Sequence, residues 1–187
     1  MSGSGLRILH SIAPARSGGA ETVVMHLAGG LRALGHDVQV ALVLEPGQER
    51  DHPLAQALDA RQVPVHIVTV SGRAYRAERH AIGRVLDAMD AQVLHTHGYR
   101  ADVMHGGVAK ARGIPHVMTL HGFVGLTRRG RFYEWLQVRA ARSASRAICV
   151  SEAIAQRVRE HGSRDAVVVL PNAAIPDPNV LERDTAR

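Results

Sequence analysis

Three short stretches hold residues that could do chemistry at a ligand: "ARSGGAE", "LHTHGYR" and "MTLHGF". In the first, Gly18 and Gly19 stand side by side between an apolar run and a helical stripe. One glycine is enough for a turn that needs positive backbone angles. Two at a helix start let a ligand reach bare backbone, where free amides and the helix dipole favour an anion. The spacing is not the G-x-G-x-x-G of dinucleotide binders, and no G-x-x-x-x-G-K-[ST] is present. Plain turn geometry and a phosphate site both remain open on these residues alone.

In the second stretch, His95 and His97 alternate along a strand end and are read as pointing to opposite faces, which argues against one shared metal ion. His97, Tyr99 and Arg100 can hydrogen-bond a polar ligand, and a structural role for each is equally open. In the third stretch, His121 ends an apolar strand as the chain turns at Gly122, a place suited to a side chain entering a cleft. The chain has 12 histidines but no H-E-x-x-H and a single cysteine, so no metal ligand set is expected. There is no G-x-S-x-G elbow for an acyl-transfer serine.

The elements that must carry these loops follow from periodicity. Strand candidates are "RILHSI", "VQVALVL", "VHIVTV", "VLHTH", "HVMTLH", "AICVS" and "AVVVLP", several of them apolar on nearly every residue. That continuity marks parallel strands covered on both faces. Between them lie amphipathic segments. The first places Val23, Val24, Leu27, Leu31 and Leu34 on one side and ends at Gly35. The third sets Tyr75, Ile82, Leu86 and Met89 opposite several arginines. Alternating strands and helices predict an α/β fold, a Rossmann-like doubly wound parallel sheet of about seven strands. Ligands gather at the carboxyl ends of such strands, and all three loops fall there.

Composition narrows the partners. The 187 residues suffice for one well-buried domain, and with 3% aromatics its core must be aliphatic. The net charge of +6 points to anionic partners. Arginines in "GRAYRAERHAIGR" and "TRRGR" suit a solvated face or an anionic membrane surface, whereas scarce aromatics disfavour nucleic acid. The lone Cys149 cannot form an internal disulfide and fits a reducing cytoplasm, with attachment at the inner face of a membrane also open. "LRILHSIAPA" mimics a signal peptide, but its apolar part is short and His10 interrupts it, so it reads as a buried strand.

Taken in order, "GGAETVVMHLAGGLRALGHDVQV", "VLHTHGYRADV", "GIPHVMTLHGF", "AICVSEAIAQRV" and "VVVLPNAA" resemble the N-terminal domain of the retaining glycosyltransferases of family 4, which have the GT-B fold. The resemblance spans almost the whole chain. It implies an acceptor-side domain over 1–172, the start of an interdomain linker over 173–187, and a donor-binding C-terminal domain supplied from outside this sequence. It implies that Gly18 and Gly19 approach the donor diphosphate and that His121 is the catalytic group beside the transferred sugar. By the same resemblance His97, Tyr99 and Arg100 line the acceptor pocket with Arg16 and Glu21 at its rim, while Ser151 and Asn172 shape loops. The nucleotide-sugar is then a co-substrate, and no cofactor is expected. One departure is "PNAAIPD", where the family usually has an N-G dipeptide, so the turn at Ala173 should differ. Two other classes stay open: a non-catalytic module for a phosphorylated or glycan ligand or an anionic membrane, and a nucleotide-binding oxidoreductase domain that lacks the dinucleotide fingerprint.

Overall fold

The computed structural model describes residues 5–16, 18–48, 51–123, 127–161 and 165–172. Strand and helix alternate throughout: β1 Arg7–Ile12, α1 Gly19–Ala33, β2 Asp37–Leu44, α2 Pro53–Asp59, β3 Val65–Thr69, α3 Tyr75–Ala88, β4 Val93–His97. The chain continues with α4 Tyr99–Lys110, β5 His116–Leu120, α5 Arg128–Ala141, β6 Arg146–Cys149, α6 Glu152–Glu160 and β7 Val167–Val169. All seven strands pair in parallel in the order β3-β2-β1-β4-β5-β6-β7. The expected fold class is the one observed. The order reverses between β1 and β4, and the crevice above such a switch point is where open α/β sheets bind ligands.

Both faces of the sheet are covered, as the apolar strands require. On one, Ile8, Ile12, Val38, Val40 and Leu42 pack on Val24 and Ala28 of α1 and Leu54 and Leu58 of α2. On the other, Leu9, Ala41, Val43 and Leu94 meet Ile82 and Leu86 of α3 and Val108 of α4. A third cluster joins Met118, Leu120, Ala147 and Cys149 to Val138 and Ala141 of α5 and Ala155 and Val158 of α6. Cys149 is a buried thiol, and burial pushes its pKa up to about 11, so it packs as a small hydrophobe. Gly35, at φ +88°, donates to Arg32 O and ends α1 as the sequence indicates.

Two helical stripes differ from expectation. In α1 the buried pair is Val24 and Ala28, while Leu34 is exposed; Val23, Leu27 and Leu31 line an open groove facing Val117, Ile148 and Val150. The helix therefore rolls toward β1 and β2, where small Ala28 allows close approach. In α3, Ile82, Leu86 and Met89 are buried, but Tyr75 is exposed at the first turn beneath the Arg100 guanidinium. The expected linker and the turn at Ala173 lie outside the described residues.

Ile82 is fully buried at the centre of the α3 contact. Ile82→Ala should cost about 2–5 kcal/mol, read from the urea midpoint at unchanged slope.

Candidate functional site

The carboxyl ends of β1, β4 and β5 place four histidines on one side of the sheet. Register sets His10 beside His95 and Ile12 beside His97, while β5 carries Thr119 next to His97 and leads directly into His121. His95 and His97 thus point to the same face, with ring centroids 4.3 Å apart. This corrects the expectation of opposite faces: side chains alternate every residue along a strand, so residues two apart share a face.

His10 Nδ1 lies 2.9 Å from His97 Nε2, and His97 Nδ1 lies 3.1 Å from His121 Nε2. Centroid spacings of 5.2 and 5.4 Å with small tilts make these three rings an edge-to-edge ribbon. His95 stacks on His97 and pairs through Nε2 with Thr119 Oγ1 at 2.7 Å. Desolvation holds the rings neutral. It lowers His10 to about 4, puts His95 and His97 well below the ordinary range, and lowers His121, whose shift nearby Glu21 partly opposes. A neutral ring bears one N–H, so His97 must donate at one nitrogen and accept at the other. At the ends of the ribbon, His10 Nε2 and His121 Nδ1 are buried without a hydrogen-bond partner among the described residues.

His10, His95 and His97 bring one nitrogen each within 4.8 Å of one another, close enough to consider a metal ion. The ribbon argues against one. His10 Nδ1 and His97 Nε2 already bond each other at 2.9 Å, and a metal ion held through those two atoms would break that bond.

The glycine bend opens on the same region. Gly18 is the N-cap of α1, extended at φ 174°, and supplies no side-chain cap. Glu21, in the first turn, folds back so that its Oε1 accepts from Ala15 N at 2.8 Å. A Cβ at Gly18 would stand 2.5 Å from Glu21 Oε2, whereas one at Gly19 would meet open space. The chain's own carboxylate therefore lies against Gly18 and takes its hydrogen bond from Ala15 N, close to the helix start, where the dipole favours a negative charge. Glu21 also acts electrostatically on His121, so bend and imidazole share one neighbourhood.

Two hollows meet at Gly98 and Tyr99. One, of about 280 Å³, is lined by Ala13, Pro14, Glu45, Gln48, His97, Tyr99 and Arg100. The other, of about 490 Å³, is lined by Ala20, Tyr99, His121, Gly122, Phe123, Tyr133 and neighbours. Tyr99 is half-exposed and stacks on Tyr133 at 4.9 Å. His97, only 1% exposed, forms a floor of the smaller hollow and bonds His121, which lines the other. Arg16 is exposed, two residues before the glycine bend, and lies outside the lining of both hollows. Ser151 caps α6 by accepting from Ile154 N, and Asn172 borders the groove beside α1, away from both hollows.

Arg100 is not free. It grips fully buried Glu78 through Nε and Nη2, the shortest contact being 2.7 Å. Glu78 also takes a bond from His105, which meets Ser11 Oγ at 2.9 Å. Burial alone would raise the Glu78 pKa, but bonds from His105 and Arg100 bring it below the ordinary value. Ser11 is fully buried, so this Ser–His–Glu series anchors β1, α3 and α4 and offers no nucleophile. Beside it Thr96 and Gln137 hold Asp102, whose pKa burial pushes up to about 7. Sequence reading missed His10, Glu78, Asp102 and His105. Only His10 carried a signal, as a polar residue inside an otherwise apolar strand.

Sheet order and the site at its switch point define a Rossmann-like domain of the GT-B kind. Residues 17–177 match the model for Glycosyltransferase Family 4, and the chain belongs to that family. No curated protein matches it. Among solved structures, HepE of Anabaena in complex with UDP-glucose superposes with a TM-score of 0.72 at 18% identity, covering 90% of this chain and 44% of HepE. The co-structure of S. aureus MnaA with UDP gives 0.68 at 15%, covering 97% and 51%. The apo form of the lipopolysaccharide outer core galactosyltransferase WaaB gives 0.69 at 12%, covering 96% and 50%. The chain spans about half the length of these proteins, and at such identities the likeness is one of fold.

The buried histidines make stability acid-sensitive. A histidine whose folded pKa is depressed contributes stability that is present above its unfolded value of 6.5 and lost as pH falls through the folded value. For His10 the drop to about 4 corresponds to about 3 kcal/mol. His95, His97 and His116 act in the same direction. Asp102 opposes them, since its raised pKa gives stability that is lost as pH rises through about 7. The histidines outnumber it, so the urea midpoint should fall steadily from about pH 7 to about pH 4.5. A flat profile would contradict the neutral cluster.

Proposed function

We propose that this chain forms the acceptor side of a glycosyltransferase that moves a sugar from a nucleotide-sugar to an acceptor with retained configuration. A second domain would hold the nucleotide. The observation that carries the reading is the convergence of the uncapped start of α1, Glu21 and neutral His121 on one region above the β1–β4 switch point. Family membership and the UDP-glucose complex of HepE support a nucleotide-sugar as donor.

In this reading the diphosphate approaches the main-chain N–H groups at Gly18 and Gly19. Its charge repels the Glu21 carboxylate, which moves off Ala15 N and Gly18 and opens the approach to those amides. Amides aimed at a departing phosphate stabilise charge as it develops on the leaving oxygen. His121, held neutral by burial, hydrogen-bonds a hydroxyl of the transferred sugar. An uncharged imidazole does not oppose the positive charge that grows at the anomeric carbon while the bond to the diphosphate lengthens; an imidazolium there would. The acceptor hydroxyl enters on the face from which the diphosphate leaves. Tyr99 offers an exposed ring and hydroxyl to the acceptor, with Arg16 at the rim. Arg100 contributes through its hold on Glu78, which fixes the first turn of α4 beneath Tyr99.

Gly19 separates a ligand requirement from a folding one, because its Cβ direction is open. Gly19→Val in this chain joined to a donor-binding domain should leave the thermal midpoint nearly unchanged and lower transfer about a hundredfold. Undiminished transfer would overturn the diphosphate assignment.

A further inference from the structure

The sequence holds only six aromatic rings of Phe, Tyr and Trp, and none of them fills the centre of the sheet core. Three lie on α5, where Phe132 and Trp135 are 55% and 51% exposed with centroids 6.0 Å apart. Leaving two large rings in water forgoes their burial, so a surface that gathers them marks a contact. Spacing shapes that surface. Arg128, Phe132, Trp135, Arg139 and Arg142 follow one another at intervals of four and three residues, which places them on one helix face. The opposite face, Glu134, Gln137, Val138 and Ala141, is buried. Arg131 flanks the stripe, and Arg139 lies over the Trp135 ring at 5.9 Å. The helix's one acidic residue, Glu134, is buried and paired with Arg157 at 2.5 Å.

We propose that this face of α5 docks the protein on an anionic lipid bilayer, with Phe132 and Trp135 entering the interface and the arginines meeting headgroup phosphates. Apolar wedge and cationic rim together are what an interfacial helix needs. A second copy of the chain fits poorly, because it would set arginine against arginine. The arginines on and just before α3 form a weaker candidate: Arg73, Arg76, Arg79 and Arg84 are exposed, but the only exposed large apolar side chain on that helix is Tyr75, engaged by Arg100. The α5 face adjoins the larger hollow, which Arg129, Gly130 and Tyr133 also line. Docking there sets the mouth of the hollow at the bilayer surface and points to an amphiphilic acceptor presented from the lipid. That extension rests on the function proposed above; the docking itself does not.

Trp135 is the only tryptophan, so its fluorescence reports the contact directly. Vesicles of phosphatidylcholine with phosphatidylglycerol should shift its emission to the blue and sediment the 187-residue chain, and added salt should reverse both. Vesicles of phosphatidylcholine alone, or free glycerophosphate, should do neither. Arg128→Gln with Arg131→Gln should weaken sedimentation about thirtyfold at an unchanged thermal midpoint. Phe132→Ser should weaken it about tenfold, while Arg76→Gln with Arg84→Gln on α3 should leave it unchanged. An unshifted emission, loss through the α3 pair instead, or an equal shift with single-stranded RNA would overturn the proposal. Because no donor or transfer is involved, failure here leaves the proposed chemistry standing, and failure of transfer leaves this surface standing.

Discussion

Imidazoles hydrogen-bonded edge to edge across adjacent strands hold the site together, and most of its other features follow from that contact. His10 on β1, His97 on β4 and His121 beyond β5 are neighbours only because the strands are parallel and in this register. Taking them out of water costs the charged form dearly, so they stay neutral and each can give just one proton to a hydrogen bond. The direction of donation is thereby shared: changing it at one ring changes it at all three. His121 reaches the hollow with an orientation and protonation set by residues a ligand never touches.

Around this neutral row the charges are kept apart. Glu78 and Arg100 neutralise each other on the far side of the sheet, with His105 and Ser11 completing their bonds. Among the described residues, Glu21 is the carboxylate that acts electrostatically on His121, and it accepts from Ala15 N close to a helix start that attracts anions.

Much of the architecture was legible because the strands are apolar runs of three to eight residues separated by amphipathic segments, a pattern with few alternative folds. Boundaries held best where chemistry punctuates the chain, as at Gly35 and Ser151. The site was legible only in part. Gly18, His97 and His121 sit at strand ends, where loop position alone flags them. His10 stood out only as a polar residue in an apolar strand, because its partner is 87 positions away and pairing of that kind depends on sheet order. Glu78 and Asp102 were hidden for a related reason: in helical stripes they look like solvated positions, and only the packing of α3, α4 and α5 buries them. His95 was misread through the strand period itself, and Arg100 through its exposed-looking loop, which conceals an ion pair with a helix 22 residues earlier.

The central claim, that one neutral hydrogen-bonded row of rings backs the hollow, is tested most directly by long-range proton–nitrogen NMR of the histidine side chains across a pH titration. The account predicts that the His97 ring keeps the nitrogen shifts of a neutral tautomer well below pH 6.5, and that His10→Phe moves the nitrogen shifts of His121. A His97 ring that titrates near its ordinary value of 6.5, with His121 indifferent to the substitution, would contradict it.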